Sequence, residues 1–373
     1  MKRRELPTDI HIIRDNVNTH VFLPMQEHRL NGAISMVRYD PGIATPSYKY
    51  DIIGADVPEE TLFKGDLLVA SLSESPRNVN SIYYYDDTGS QLFERLCDEK
   101  TYYLFRTEKE ILAEYAKTIA RITGPVFLIE LGSGNAEKTT LLIDAYLRTH
   151  GQTSYAAIDI NRSILERAAE NILSVSSDLK FLGIVGTYQT GLAEIESLVS
   201  PNLLSPKLLF CLGSTIGNMH DDELANLLLS ARSALSPGDY LLVGIDLDKE
   251  TEILEAAYNN QTAILTNLCV LQHLNWRFGG DFDIFQFRHV AFHNKPLHRM
   301  ESHLESVRDQ LVNLHKLNFS FRLEKGERVR TEIMRKVDVD SFSGMVEDFK
   351  FRTVKYWTDC GSRYAVILFQ LSR

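Results

Sequence analysis

The sequence has little of what marks disulfide-bonded, metal-binding, membrane-spanning or nucleic-acid-binding proteins. Its 373 residues include four cysteines, none in a C-x-x-C pair, so neither a disulfide framework nor a zinc site is indicated and we expect buried free thiols. No run of about 18 apolar residues occurs, which predicts no transmembrane helix. The net charge of −10 argues against a nucleic-acid or anionic-membrane partner.

The remaining composition is that of an ordinary globular protein. Hydrophobic residues make up 44% of the chain and charged residues 24%. The first residues are basic, but no apolar core follows them, so we do not expect a signal peptide. We expect a cytoplasmic monomer that holds no metal and acts on a small molecule.

Strands and helices alternate through the middle of the chain. Predicted strands cover Val126–Leu131, Tyr155–Ile160, Lys180–Val185, Leu208–Leu212 and Tyr240–Ile245. Predicted helices between them cover Lys138–Thr149, Ser163–Ile172 and Asp221–Ala234. This alternation predicts an α/β fold with a parallel sheet and helices on both faces, which binds its ligand beyond the carboxyl ends of the strands.

The first predicted strand ends in a glycine-containing turn that indicates a nucleotide-like cofactor. Glu130 is followed by Gly132-x-Gly134, and a strand that turns through glycines into a helix lets backbone amides approach a ligand. Asp159 ends the second strand, where a carboxylate can accept both ribose hydroxyls. The alternative for Asp159 is a helix cap.

The same turn departs from the full dinucleotide fingerprint. Ala136 and Glu137 stand where a third glycine is expected, and a pyrophosphate cradle prefers the complete G-x-G-x-x-G. The pattern therefore favours S-adenosylmethionine (SAM), which has no pyrophosphate, over a nicotinamide dinucleotide. Lys138 is a candidate partner for the methionyl carboxylate of SAM. The alternative is a solvated lysine in the first turn of a helix.

Six sequence blocks resemble the histidine Nα-methyltransferase family of ergothioneine biosynthesis, including fungal relatives that methylate tryptophan. The blocks are Tyr84–Phe93, Tyr102–Glu108, Glu130–Thr139, Leu212–Asn218, Ala257–Asn260 and Arg330–Glu332. The resemblance covers roughly residues 59–373. It implies a class I SAM-methyltransferase core at 108–248 and a substrate-binding α+β domain built from 59–107 plus 249–373. Residues 1–58 are predicted to be an N-terminal extension of uncertain structure.

The resemblance also implies which residues contact the two ligands. The implied cofactor contacts are Tyr85, Gly132, Gly134, Lys138, Asp159, Thr187 and Tyr188. Thr187 stands where the family has an acidic residue beside the adenine. The residues implied to hold the substrate are Tyr102, Gly213, Asn218, Tyr258, Ser302, Glu332 and Met334. Because methyl transfer from a sulfonium needs no acid catalyst, we predict no catalytic dyad and expect positioning to supply the rate.

Two implied pocket positions bear on which amino acid is bound. The resemblance pairs Glu332 with a serine two residues later in histidine enzymes, and here that residue is Met334, which packs on aromatic faces but offers almost no hydrogen bond. Ser302 stands where the bacterial enzymes have methionine. Both differences favour an indole, so L-tryptophan ranks above L-histidine. A histidine enzyme with neutral substitutions, a nicotinamide-dependent oxidoreductase and an inactive SAM-binding scaffold are the alternatives.

Overall fold

The computed structural model describes residues 11–15, 18–22, 50–54, 64–176, 179–198 and 206–373. The chain divides into two compact units, Met1–Ser47 and Tyr48–Arg373. In the first unit, β1 (His11–Asp15) and β2 (Asn18–Phe22) form an antiparallel hairpin. The rest of that predicted extension lies outside the described residues, except for β3 (Tyr50–Gly54), which belongs to the second unit.

A large mixed sheet forms the centre of the second unit. After β3, its strands are β4 (Phe127–Leu131), β5 (Ser154–Asp159), β6 (Lys180–Val185), β7 (Lys207–Cys211), β8 (Tyr240–Asp246), β14 (Phe351–Thr358) and β15 (Tyr364–Leu371). Their order across the sheet is β14-β15-β8-β7-β4-β5-β6-β3. Strands β3 to β8 pair in parallel, whereas β15 and β14 continue the sheet antiparallel. The strand order reverses between β4 and β7, and this is the position where such sheets bind ligands.

Helices cover both faces of this sheet. Those in the central part of the chain are α3 (Leu104–Thr123), α4 (Thr139–His150), α5 (Arg162–Val175), α6 (Tyr188–Leu198) and α7 (Asp221–Ala234). Successive residues of β4 enter different apolar clusters: Leu128 packs with residues of α3, α4 and α5, and Ile129 packs with residues of α6 and α7. Burial on both faces explains the continuous apolar runs of these strands and confirms the predicted α/β class.

The segments on either side of the core form a smaller α+β assembly. Its helices are α1 (Gly65–Ser73), α2 (Asp87–Asp98), α8 (Thr251–Tyr258) and α9 (Gln261–Phe278), whereas α10 (Val339–Glu347) packs on the large sheet through Phe342 and Val346. Its strands are β9 (Phe287–Asn294), β10 (Arg299–Ser306), β11 (Gln310–Leu314), β12 (Phe319–Leu323) and β13 (Arg328–Arg335). Strand β10 pairs antiparallel with β9 and β13, and β11 pairs with β12.

Two sequence-based expectations need correction. The predicted substrate-binding domain included the end of the chain, but β14 and β15 extend the large sheet through the pairing of β15 with β8, so 351–371 belongs to the core sheet. The cysteines were expected to be buried, and Cys97, Cys211 and Cys269 are, but Cys360 is exposed. No helix in the described ranges has the length and apolar character needed to cross a membrane.

Candidate active site

The turn after β4 passes through two glycines whose backbone lies in the left-handed region. Gly132 and Gly134 have φ values of +69° and +50°, and the Gly132 amide donates to the Ile158 carbonyl at 2.8 Å, which ties the turn to β5. A Cβ atom at Gly132 would lie 3.0 Å from the Tyr188 hydroxyl. Gly132 therefore combines a positive φ with a close neighbour, whereas Gly134 has a positive φ and open space where a Cβ atom would lie.

Asp159 lies at the carboxyl end of β5, beside this turn. Its Oδ2 accepts from the Gly134 amide at 3.2 Å and its Oδ1 accepts from the Asn161 amide at 3.1 Å. Burial raises the pKa of Asp159 to about 6, and the backbone hydrogen bonds oppose that rise. The helix cap of α5 is Asn161, whose side chain accepts from the Ser163 and Ile164 amides, so the structure frees Asp159 from that alternative role.

Glu130, just before the glycines, is turned into the core. Its carboxyl group accepts from the Tyr155 hydroxyl at 2.5 Å and from the Thr139 hydroxyl at 2.9 and 2.8 Å. These contacts join β4, β5 and the start of α4 around the glycine turn. Burial raises the pKa of Glu130 to about 8. Glu130 therefore stabilises the glycine turn through buried hydrogen bonds to the neighbouring strand and helix.

The structure gives Lys138 and Gly213 a partner that the sequence did not indicate. The Lys138 ammonium group forms an ion pair with Glu108, a carboxylate with a completely buried side chain. Both oxygens of Glu108 also accept from the Gly213 amide, at 2.9 and 2.8 Å, and Oε1 accepts from the Tyr364 hydroxyl at 2.8 Å. The Gly213 amide is thus occupied, and the charge of Lys138 is balanced inside the protein.

Glu108 also explains an otherwise plain glycine. A Cβ atom at Gly244 of β8 would lie 1.9 Å from Glu108 Oε1 and 2.7 Å from the Tyr364 hydroxyl. The carboxylate therefore occupies space that only glycine leaves open. Its position at the end of the Tyr102–Glu108 block was the only sequence signal for a role at the site.

Thr187 and Tyr188 follow β6 and differ in what they can contact. Thr187 Oγ1 accepts from the Thr190 amide at 3.2 Å and lies 3.1 Å from Thr190 Oγ1, so its hydroxyl caps the start of α6. The Thr187 hydroxyl thus has a structural role at the helix start, and its contact with the cofactor stays a prediction. Tyr188 lies beside Gly132, and burial raises its pKa, which keeps its hydroxyl neutral.

A series of aromatic rings leads from the cofactor side to the predicted substrate side. Tyr85 and Phe93 have ring centroids 6.5 Å apart, Phe93 and Tyr102 6.3 Å, and Tyr102 and Tyr258 6.0 Å, all close to perpendicular. Tyr102 and Tyr258 are each 6% exposed and pack in one apolar cluster, and their contact with the substrate stays a prediction. Phe93 was missed because one phenylalanine in an amphipathic helix indicates only packing.

Asn218 and Glu332 meet although they are far apart in the chain. Asn218 ends the 3₁₀ turn Thr215–Asn218 after β7, and its Nδ2 donates to Glu332 Oε1 of β13 at 3.0 Å. Burial raises the pKa of Glu332 to about 7, while Lys336 opposes that rise. The pKa of Tyr85 is also raised by burial and then by Glu332, and a side-chain hydrogen bond with Asn218 partly offsets this. Tyr85, predicted to contact the cofactor, therefore lies close to Asn218 and Glu332, predicted to contact the substrate.

Ser302 and Met334 lie on the sheet face that carries Glu332. In the antiparallel pairing of β10 and β13, Ser302 is directly opposite Glu332 and Met300 is opposite Met334. Directly opposite residues share a face. Met300 and Met334 belong to the same apolar cluster as Tyr102 and Tyr258, and burial and, to a smaller extent, Glu332 raise the pKa of both tyrosines, so this face lies near them. Met300 was not among the predicted residues.

The assembled residues fit SAM on grounds internal to the structure. The glycine turn is a cradle that a Cβ atom at Gly132 would crowd, and Asp159 presents a carboxylate next to it. Tyr188 offers a buried aromatic ring at the same edge of the sheet. Gly132, Gly134, Asp159 and Tyr188 would hold the cofactor, and Tyr85 would contact it from the second domain.

Comparisons with known proteins show which family the chain is similar to. The family model described as histidine-specific, SAM-dependent methyltransferase matches residues 64–371. A histidine N-alpha-methyltransferase from Mycolicibacterium smegmatis is 30% identical over 301 residues, covering 80% of this chain and 92% of that protein. An L-tryptophan methyltransferase from Psilocybe serbica is 30% identical over 264 residues, covering 64% and 73%. The solved magnesium protoporphyrin IX methyltransferase from Synechocystis PCC 6803 has a TM-score of 0.41 and 10% identity, covering 78% of this chain and 97% of that one.

Proposed function

The chain belongs to the histidine-specific, SAM-dependent methyltransferase family, and from this premise we propose that it methylates the α-amine of an aromatic amino acid, with L-tryptophan preferred over L-histidine. It has the class I methyltransferase fold and is a SAM-dependent N-methyltransferase of an amino acid. The proposal concerns the identity of that amino acid and the residues that hold it.

Bound SAM supplies an electrophilic methyl group on a positively charged sulfur. The protein's task is to present an unprotonated amine in line with that methyl group, which is a matter of orientation. We assign the amino-acid backbone to Tyr102, Asn218 and Tyr258, which combine hydroxyl and amide groups at the mouth of the site. Their buried surroundings exclude water, so the few polar groups present fix the orientation.

The side-chain preference rests on the two cross-strand pairs of β10 and β13. Glu332 can accept one N–H, and the neighbouring Met334 and Met300 offer apolar, polarisable surface. An indole presents one N–H donor and a broad apolar face, and this matches one carboxylate beside two methionines. Ser302, opposite Glu332, is smaller than methionine and leaves more space for the larger ring. This pairing is the single observation that supports tryptophan.

L-Histidine is the second candidate, because two observations favour it. An imidazole also presents an N–H to Glu332, and a relative that matches 80% of this chain is named a histidine N-alpha-methyltransferase. What the pocket lacks is a second polar partner for the other ring nitrogen at position 334. A site without that partner discriminates histidine poorly.

A substrate screen tests the proposal directly. The purified protein is incubated with SAM and, separately, with L-tryptophan, L-histidine, L-phenylalanine and L-tyrosine, and the products are analysed by mass spectrometry for added CH₂ units. We expect methylated tryptophan with the highest kcat/KM. Methylated histidine as the main product would contradict the preference, and no product from any of them would contradict the proposed function.

Met334 provides a sharper test of the preference. Met334→Ser restores a hydroxyl next to Glu332, so we expect the kcat/KM ratio of histidine to tryptophan to rise by about tenfold, the effect of roughly one neutral hydrogen bond. Met334→Leu keeps the position apolar and serves as the matched control, with the ratio unchanged. An equal ratio in both variants would remove Met334 from the specificity of the site.

A further inference from the structure

A buried lysine lies directly behind one of the proposed substrate residues. Lys336 follows β13 and its side chain is completely buried. Its Nζ lies 2.9 Å from Asp246 Oδ2 and donates to the Tyr258 hydroxyl oxygen at 3.1 Å. The same nitrogen lies 4.9 Å from the centroid of the Tyr258 ring. A lysine is rarely buried in this way unless it is paired, and here both of its partners are defined.

The carboxylate that pairs with Lys336 has a second cationic partner. Asp246 is also paired with Lys249 at 2.6 Å and accepts from the Tyr103 hydroxyl at 2.8 Å through each oxygen. Two ammonium groups thus share one carboxylate. The next acidic group on the same side of β13 is Glu332, and Lys336 opposes the rise in the pKa of Glu332. Asp248 also acts on Lys249, so the cluster holds charges of both signs, and Lys336 is the cation in it that contacts Tyr258.

The contact with Lys336 determines what the Tyr258 hydroxyl can do. Burial opposes the charged form of Lys336, but Asp246 and Tyr258 raise the pKa of Lys336, so it remains an ammonium group that can only donate. Burial raises the pKa of Tyr258 to about 12 although Lys336 lowers it, so the phenol keeps its proton. With an oxygen lone pair engaged by Lys336, the Tyr258 proton is left to donate to another acceptor.

We propose that Lys336 is a positioning residue for the substrate α-carboxylate, acting through Tyr258. The lysine fixes the Tyr258 hydroxyl as a hydrogen-bond donor toward the site, and its charge favours an anionic group there. This inference rests on the proposed function, because it requires an amino-acid substrate whose carboxylate faces Tyr258. It deepens that function by assigning selection of amino acids over the corresponding amines to the Asp246–Lys336–Tyr258 chain.

The test compares an amino acid with its decarboxylated amine. For the wild type, Lys336→Met, Tyr258→Phe and the double variant, KM and kcat are measured with L-tryptophan and with tryptamine, and S-adenosylhomocysteine binding is measured by calorimetry. Lys336→Met should raise KM for L-tryptophan by about tenfold to a hundredfold, as expected for a charge-assisted contact, with a smaller change in kcat. Kinetics with tryptamine and S-adenosylhomocysteine affinity should stay unchanged.

The double variant shows whether the lysine acts through the tyrosine. If it does, Lys336→Met should add little to KM once the Tyr258 hydroxyl is gone. Lys249→Met is the matched control, since Lys249 pairs with the same Asp246 but has no hydrogen bond to Tyr258, and we expect at most a twofold change in KM. If KM for L-tryptophan rises as much in Lys249→Met as in Lys336→Met, the effect comes from the total charge around Asp246, and the positioning role of Lys336 is wrong.

Other outcomes would also contradict the inference. An equal loss with tryptamine, or full additivity in the double variant, would show that Lys336 does not act on the carboxylate through Tyr258. If Lys336→Met does not fold, Tyr258→Phe must still raise KM for L-tryptophan and leave KM for tryptamine unchanged. Without that difference, the inference is contradicted. Absence of wild-type turnover with any amino acid contradicts the proposed function itself, whereas wild-type turnover with an unchanged KM in Lys336→Met contradicts this inference alone.

Discussion

Glu332→Gln tests whether the one carboxylate on the proposed pocket face binds the substrate side chain. Glutamine keeps an oxygen that can accept from Asn218 Nδ2, which contacts Glu332 at 3.0 Å, so the local geometry is preserved while the charge is lost. A hydrogen bond to a charged group contributes about 1.5–3 kcal/mol, so kcat/KM should fall by about 10-fold to 150-fold at pH 8. The affinity for S-adenosylhomocysteine should not change.

The pH dependence of this effect follows from the pKa of Glu332. Because that pKa is about 7, the carboxyl group is about one tenth ionised at pH 6 and about nine tenths ionised at pH 8. An ionised carboxylate accepts the substrate N–H more strongly, so kcat/KM of the wild type relative to Glu332→Gln should rise by about tenfold between these pH values. Deprotonation of the substrate amine affects both enzymes equally and cancels in the ratio.

The assay is an initial-rate measurement at subsaturating amino acid and saturating SAM from pH 6 to pH 8. Glu301→Gln is the matched control: Glu301 lies next to Ser302 on β10, but its carboxylate pairs with Arg299 at 2.7 Å, and its pKa is lowered. For that variant the ratio should remain flat. A flat ratio for Glu332→Gln as well would refute a side-chain role for the Glu332 carboxylate.

Two further predictions concern the glycine turn and the carboxyl group beneath it. Gly132→Ala should weaken S-adenosylhomocysteine binding about tenfold or more in calorimetry, because the new methyl group crowds Tyr188. Gly151→Ala is the control. Gly151 has a φ of +79°, so alanine there carries similar backbone strain, but its Cβ would have no atom within 4 Å and binding should be unchanged. Burial raises the pKa of Glu130 from about 4.5 to about 8, so the protonated carboxyl group is favoured in the folded protein. The stability that Glu130 contributes is therefore complete below about pH 4.5. It is lost as the pH rises to 8, at about 1.4 kcal/mol per pH unit. Glu130→Gln should therefore lose less thermal stability than the wild type between pH 5 and 8, and equal losses would contradict a buried, titrating carboxyl group.

The alternating core was predictable from sequence because its strands are buried on both faces and its helices are amphipathic. The predicted bounds Lys180–Val185 and Asp221–Ala234 coincide with β6 and α7. Helix α6 was not among the predicted helices. Strand β14 was missed because it is an edge strand with half-exposed residues, and its pairing with β15 depends on distant parts of the chain.

The site was predictable where conformation or chemistry is restrictive, and not where it depends on distant partners. Gly132, Gly134 and Asp159 converge as local reasoning indicated. Glu108 and Lys336, in contrast, are charged residues that pattern analysis assigns to solvent, and only tertiary packing buries them against partners far along the chain. Two charged residues that are buried as a pair do not change the hydrophobic periodicity of the sequence, so the pattern does not indicate them.

The register between β10 and β13 places the groups proposed to recognise the substrate side chain next to one another on two short strands. The residues proposed to hold the amino-acid backbone come from a loop, a turn and the end of a helix elsewhere in the chain. On that proposal, exchanges at Ser302 or Met334 change which ring is accepted and leave the groups that orient the amine in place. Such a division offers a physical route by which one scaffold acquires new amino-acid substrates through one or two exchanges.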